Sequence, residues 1–379
     1  MKPKISRIIA AMLSACFIVS AAACSNEQNN TSNTVSEKTY SISDDEDTAK
    51  NNNDDTSADN TESSLTDTSY DDASVPDIED PTPQDDGEYI NGLLVYNGVA
   101  YEQFFGDDDM AENYSDVIST IKNSLGSDIK MYNVLIPTHC GITLPDKFKD
   151  TVASQEEYLN TITNSYSAEG IIPVNTYSTM MQHRDEYLYF NTDHHWTGRA
   201  AYYAYADFCK AARIDAIPIS SMTSKKIEGY QGSLADSDIP GLDNLKDDYV
   251  EYFTVDMDIS TTLYDDYGND PTDYALLHEY AEGINAYGVF LGGDQPIIVS
   301  KNSDGNGKKI AVVKESYGNA FCPFIAYTYS ETHMIDSRYA EINLNQYLRD
   351  NDINEVIFIN NAMASATYQR CEELRSLVD

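Results

Sequence analysis

Four short apolar runs rich in β-branched residues, at 131–137, 171–174, 309–314 and 355–360, each end at a polar or turn residue. Between them lie stretches with helical spacing, at 112–125, 155–166, 198–212 and 342–351. Buried strands alternating with helices predict an α/β domain, with a mainly parallel sheet covered by helices on both faces. Functional side chains then belong at the carboxyl ends of the strands. From 220 to 293 the pattern is lost among Gly229, Gly232, Gly241, Gly268 and many Asp and Tyr. That section predicts a loop-rich insertion of hairpins over one sheet edge, the kind of excursion that shapes a substrate groove.

The chain ahead of this pattern reads differently. Lys2, Lys4 and Arg7 precede a mostly apolar stretch at 8–19 and then small residues up to Cys24, which predicts a secretory signal over 1–24. Ala21-Ala22-Ala23-Cys24 resembles a bacterial lipobox, so Cys24 is the expected lipidation site, with the chain held on the outer face of the cytoplasmic membrane. Leu13-Ser14-Ala15-Cys16 fits the lipobox pattern better, but leaves an apolar core short of the ~7–15 residues a signal needs. Export without a lipid is the other alternative. Residues 25–86 carry 18 acidic side chains against two basic ones, Lys38 and Lys50. Such a segment buries too little apolar surface to offset chain entropy, and its like charges repel, so an extended disordered tether is expected. The remainder, 87–379, is expected to form one domain. A net charge of −39 excludes nucleic acid as a partner, because a phosphate backbone requires clustered Lys and Arg.

Within the domain, Cys140, Cys209, Cys322 and Cys371 could form two bridges in any of three pairings in an exported protein, or remain buried thiols. None has metal-ligand spacing. Tyrosine is abundant, 29 residues against a single Trp. Such rings can stack on sugars, although Tyr202, Tyr203 and Tyr205 sit at helical spacing and are expected to pack on the sheet.

Chemistry concentrates in Asp193-His194-His195-Trp196, where an aspartate two residues ahead of a histidine can hold an imidazole in one tautomer. A serine hydroxyl is a poor nucleophile at neutral pH and needs such a base within hydrogen-bond reach. Ser316 follows the strand 309–315, where a helix should begin with Tyr317-Gly318-Asn319. Backbone N–H groups at that point can meet a developing oxyanion, Ser316 N–H among them. Asp193, His195 and Ser316 are therefore the candidate catalytic set, each with a blander alternative: a helix cap for Ser316, packing for the histidines. A metal held by Asp193, His194 or His195 with His139 or His183 has no HExxH spacing or cysteine pair behind it, and none is expected. No cofactor is expected either.

Thr192-Asp193-His194-His195-Trp196-Thr197, Phe290-Leu291-Gly292-Gly293, the segment Val313 to Asn319 and Ile335-Asp336-Ser337-Arg338-Tyr339 together resemble the DHHW family of exported Gram-positive proteins. That family is similar to the SGNH-like O-acetyltransferases of exopolysaccharides, such as the alginate acetylation proteins. The resemblance implies a three-layer α/β/α SGNH-hydrolase-like domain in which Ser316 carries an acyl group as an ester and passes it to a sugar hydroxyl. Gly232, in the turn Tyr230-Gln231-Gly232-Ser233, becomes a candidate oxyanion donor. Relatives commonly place Asn after the double glycine, where this chain has Asp294. An ionised Asp cannot donate, so Gln295 substitutes, Asp294 faces away, or activity is reduced. Trp196, His194, Tyr317, Arg338 and Tyr339 are the candidate substrate contacts. The implied partners are a cell-wall or extracellular polysaccharide and a membrane-bound O-acyltransferase as acyl donor. Two other readings share these residues: a carbohydrate esterase, and a non-catalytic glycan-binding or assembly lipoprotein.

Overall fold

This computed structural model describes residues 86–378, so the leader, Cys24 and the acidic stretch to residue 85 lie outside the described residues. The domain opens with an antiparallel meander, β1 (Glu88–Ile90), β2 (Leu93–Tyr96) and β3 (Val99–Glu102). Asn91-Gly92 and Asn97-Gly98 make its two turns, all four residues at positive φ, the backbone that two-residue hairpins require. The helix α1 (Asp108–Leu125) starts one turn earlier than its apolar spacing suggests, because the Asp107 side chain accepts from Met110 N–H at 2.9 Å and caps it.

In chain order there follow β4 (Lys130–Ile136), α2 (His139–Ile142), α3 (Gln155–Asn164), β5 (Ile171–Asn175), α4 (Tyr177–Gln182) and α5 (Gly198–Ala212). The insertion supplies β6 (Thr223–Tyr230), β7 (Asp248–Thr254), β8 (Ile259–Tyr264) and β9 (Thr272–Tyr274). The chain closes with β10 (Ile297–Asn302), β11 (Lys309–Lys314), α6 (Gly318–Thr328), β12 (Glu331–Asp336), α7 (Leu344–Asp350), β13 (Glu355–Asn361), α8 (Ala362–Ser365) and α9 (Tyr368–Arg375).

The main sheet has eight strands in the order β5-β4-β13-β11-β12-β10-β8-β9. The first five run parallel, as expected. The last three are antiparallel, which corrects the expectation of a mainly parallel sheet to a mixed one. For β8 and β9 the reason is connection length: the loop 265–271 is too short for a crossover and leaves only an antiparallel neighbour. The insertion is accordingly split, with β6 and β7 in a separate ribbon and β8 and β9 extending the sheet instead of lying over its edge.

Both faces of the sheet are buried. On β13, Val356 and Phe358 enter one apolar cluster with Tyr114, Leu159 and the meander, while Ile357 and Ile359 enter another with Phe208 and Phe321. The two-residue period of a strand sends neighbours to opposite faces, so a strand covered twice reads as a continuous apolar run. Each fully buried side chain of this size contributes roughly 1.5–3 kcal/mol. Helix α5 lays Ala200, Ala201, Ala204, Tyr205 and Phe208 on its buried stripe. Tyr205 is thus core, its hydroxyl 2.7 Å from Thr328 Oγ1. The four cysteines are buried and free, and burial pushes the Cys140 thiol up to about 11.

Candidate active site

The segment 189–197 is a loop closed on itself. Tyr189 and Trp196 form an isolated antiparallel bridge, and Thr197 N–H donates to Leu188 C=O at 2.8 Å before its side chain caps α5 through Ala200 N–H. Asp248, at the start of β7, fastens the loop from outside: it accepts from Tyr187 Oη (2.5 Å), Asn191 N–H (2.9 Å) and Nδ2 (2.8 Å), and Thr192 N–H (2.8 Å) and Oγ1 (2.6 Å). Nothing in the sequence marks Asp248 apart from the many other acids.

Inside this loop Asp193 Oδ1 accepts from His195 N–H at 2.9 Å and lies 2.6 Å from His195 Nδ1. Asp193 Oδ2 accepts from Ser233 N–H at 2.8 Å. Burial alone would raise the Asp193 pKa, but the His195 and His194 imidazoles and the Ser233 amide hold it well below the usual carboxylate range. An ionised Asp193 accepts from Nδ1–H, which leaves the lone pair of His195 on Nε2. That nitrogen lies 2.8 Å from Ser316 Oγ, 121 residues away in the chain. The imidazole is clamped between two rings, Tyr287 stacked at 4.0 Å and 15°, and His194 at 3.9 Å. Tyr287 also donates to Ser316 C=O at 3.1 Å. The only sequence signal for Tyr287 was its place in a tyrosine-rich stretch.

Ser316 sits on the turn from β11 into α6, at the carboxyl edge of the parallel strands. Glu315 fastens that turn to the end of β13: its Oε2 accepts from Tyr317 N–H at 3.0 Å, its Oε1 from Asn361 N–H at 3.2 Å and Nδ2 at 3.1 Å. No backbone acceptor takes Ser316 N–H among the described residues, so it is free to serve as an oxyanion donor. Gly232 is a different case, since its N–H donates to Thr192 Oγ1 at 2.9 Å and is not offered to an oxyanion. Its role is close approach: a Cβ there would stand 2.2 Å from Asp193 Cβ. Gly232→Ala is expected to destabilise the fold by about 1–3 kcal/mol, through displacement of Asp193. Urea unfolding checks this, and a midpoint equal to the parent's counts against it. Gln295 is half-buried and makes no side-chain hydrogen bond among the described residues.

Three proposed substrate contacts are engaged elsewhere. Trp196 is fully buried and its Nε1–H donates to Tyr317 C=O at 2.9 Å, joining the histidine loop to the serine turn. Tyr317 is 2% exposed and its hydroxyl donates to His194 C=O, so both aromatics are internal braces. Arg338 is committed to acids, with Nε and Nη2 on Asp336 at 2.8 and 2.6 Å and Nη2 on Asp294 at 2.9 Å. Asp294 also accepts from Asn319 Nδ2 at 2.9 Å. Its charge is therefore met by a guanidinium and an amide. Tyr339 is 46% exposed, beside the Arg338 guanidinium, and His194 is half-buried with Nδ1 2.7 Å from Ser233 Oγ.

A family model described as DHHW protein matches residues 8–335. The chain belongs to the DHHW family. A crystal structure of a DHHW family protein from Eubacterium siraeum shares 27% identity and superposes with a TM-score of 0.69, over 77% of this chain and 98% of that one. Bacillus cereus PatB1 with a sulfonyl adduct is 18% identical with a TM-score of 0.59, over 74% and 97%. The O-acetyltransferase domain of Pseudomonas putida AlgJ is 10% identical with a TM-score of 0.42, over 75% and 96%. No curated protein matches the chain.

In this DHHW protein Asp193, His194 and His195 each offer a ligand atom within 4.8 Å of one another. Both His195 nitrogens are already spent, on Asp193 and Ser316, so a metal there would have to dismantle the hydrogen-bonded chain. The donor set fits proton transfer better than metal binding.

Proposed function

We propose that this DHHW protein is a serine-dependent O-acyltransferase of the cell surface, acting on a wall or extracellular polysaccharide. The observation that carries the reading is the unbroken relay from Asp193 through His195 Nδ1 at 2.6 Å to Ser316 Oγ at 2.8 Å from Nε2. Ser316 Oγ attacks the acyl carbonyl while its proton passes to His195 Nε2, and Asp193 stabilises the imidazolium. The carbonyl oxygen, now negative, meets Ser316 N–H at the entrance to α6. Collapse expels the donor's leaving group, which takes the proton from Nε2 and leaves an ester on Ser316. A sugar hydroxyl then attacks that ester, giving its proton to Nε2, and Ser316 is regenerated with the acyl group on the sugar. The finer parts of the reading rest on the sequence: the family resemblance supports a three-layer α/β/α SGNH-like arrangement and a membrane-bound O-acyltransferase as donor, and the lipobox at 21–24 supports anchoring through Cys24.

Incubating the full chain with p-nitrophenyl acetate, then with an oligosaccharide, tests this by intact and fragment mass. Acetyl on Ser316 followed by acetylated sugar supports transfer. Acetate released at the same rate with or without sugar assigns the protein to the esterases. Absence of both adduct and turnover overturns the enzymatic reading in favour of a glycan-binding lipoprotein.

A further inference from the structure

Tyr287 touches the nucleophile's turn and the base with different parts of one side chain. It lies in a short 3-10 helix, Gly283–Val289, near the end of the insertion, and is 8% exposed. Its ring stacks on the His195 imidazole at 4.0 Å and 15°, while its hydroxyl donates to Ser316 C=O at 3.1 Å. The ring is wedged in turn by T-shaped contacts with Phe290 (5.4 Å, 68°) and with Phe190 of the loop 189–197 (6.1 Å, 89°). It cannot turn without displacing them.

Each contact removes a different freedom. The planar peptide between Ser316 and Tyr317 is pinned at both polar ends, its C=O by the Tyr287 hydroxyl and by Asn319 N–H at 3.1 Å, its N–H by Glu315 Oε2 at 3.0 Å. The backbone that carries the Ser316 hydroxyl is thereby fixed. On the base, the hydrogen bond between Nδ1 and Asp193 leaves the imidazole able to tilt about that contact, and a ring on either side, Tyr287 at 4.0 Å and His194 at 3.9 Å, takes the tilt away. The same Tyr287 face lies against the positive charge that His195 acquires when it accepts the serine proton, and the π-face of a tyrosine attracts a cation. Burial, with the carboxylates of Asp193, Glu315 and Asp294 nearby, pushes the Tyr287 pKa well above its ordinary value, so the hydroxyl stays a donor.

We propose that Tyr287 is a positioning residue of this site, its hydroxyl setting the nucleophile and its ring setting the base, so that one side chain keeps Ser316 Oγ within 2.8 Å of His195 Nε2. Its role in turnover rests on the serine-dependent reading, whereas the placement of the base can be measured in a chain that turns nothing over. Tyr287→Phe keeps the ring and loses the hydroxyl; Tyr287→Leu loses both. With the full chain and p-nitrophenyl acetate, the acylation rate at saturating ester, read as the first burst of nitrophenolate, is expected to fall about fivefold in Tyr287→Phe, the rate equivalent of one hydrogen bond. In Tyr287→Leu it should fall about a hundredfold, the cost of a misplacement of about 1 Å. The half-saturating ester concentration should stay within about twofold of the parent's in both variants, because neither contact is made to the ester. The second readout is the far-downfield proton resonance of His195 Nδ1–H against Asp193, which is expected to stay sharp in Tyr287→Phe and to broaden by exchange with water in Tyr287→Leu. Both are read where urea unfolding shows the variant folded. The proposal is overturned if Tyr287→Phe acylates at the parent rate, if the two variants lose rate equally, or if the loss appears in half-saturation instead of rate. A parent chain that never acquires acetyl would sink the transferase reading, and the resonance then decides alone: broadening in Tyr287→Leu supports the placement of the base by Tyr287, and an unchanged signal overturns it.

Discussion

Ser316→Ala is expected to lower acyl transfer about 10⁶-fold and Asp193→Asn about 10⁴-fold, read as kcat on an activated acetyl ester. The serine carries the bond that forms, so its loss leaves only the residual effect of binding and the oxyanion donor. The asparagine effect is steric and electronic at once. Asp193 Oδ1 accepts two N–H groups of His195, and Oδ2 accepts Ser233 N–H. An amide has one oxygen, so its NH₂ must face either the Ser233 amide or the imidazole. In the first case two donors collide; in the second Nδ1 becomes an acceptor and the proton moves to Nε2, where it blocks attack. A variant at either position that keeps more than about one hundredth of the parent kcat would mean that the reaction runs by another route.

The second large effect is on stability. Lys314 and Asp336 are fully buried, 2.7 Å apart, and the Arg338 guanidinium makes two further contacts with the same carboxylate. Burial would raise the Asp336 pKa, but the Lys314 ammonium and the Arg338 guanidinium outweigh it and hold the group far below the ordinary carboxylate value. Asp336→Ala leaves the Lys314 ammonium in the core with Asp294 at 3.9 Å as its remaining carboxylate, and is expected to destabilise the fold by about 3–5 kcal/mol. The midpoint of urea unfolding measures it, with an unchanged slope showing that the unfolded state is the same. Because the folded pKa is depressed, the contribution of Asp336 is complete above the unfolded value of ~3.9 and is withdrawn as pH falls from there through the lower folded value. The gap between parent and variant should therefore be constant near neutrality and close on acidification. A gap below about 1 kcal/mol at neutral pH would show that the pair is solvated.

The parallel half of the sheet was legible for a definite reason: β4, β11 and β13 lie in the interior and their residues are apolar enough to announce it, while the edge strand β5 keeps a short β-branched run, Ile171, Ile172 and Val174. β12 was not, since Glu331, Thr332 and His333 look like surface residues. His333 and Glu331 are half-buried to buried because they meet each other within the strand at 2.9 Å and His333 Nδ1 meets the Tyr347 hydroxyl of α7 at 2.8 Å, a pairing across elements that no local pattern reveals. The meander's only local signal is its two Asn-Gly turns, short beside the longer periodic segments. At the site, residue chemistry pointed to Asp193, His195 and Ser316, and the structure brings those three together. Trp196 and Tyr317 stand beside the reacting residues in sequence, but in space they face inward as braces, and Gly232, an oxyanion candidate by the family resemblance, gives its N–H to Thr192 and makes room for Asp193. Asp248 could not have been found from sequence, because it acts through elements that only the fold makes adjacent.

The acid and the base are two residues apart and joined through the backbone amide of His195, so that half of the machinery is complete as soon as its own loop closes. The docking of that loop, braced by Asp248 and Ser233, onto the turn after β11 remains to be made. During refolding, the return of turnover would therefore time the meeting of two halves of the polypeptide, and would lag behind the appearance of helix or strand in either.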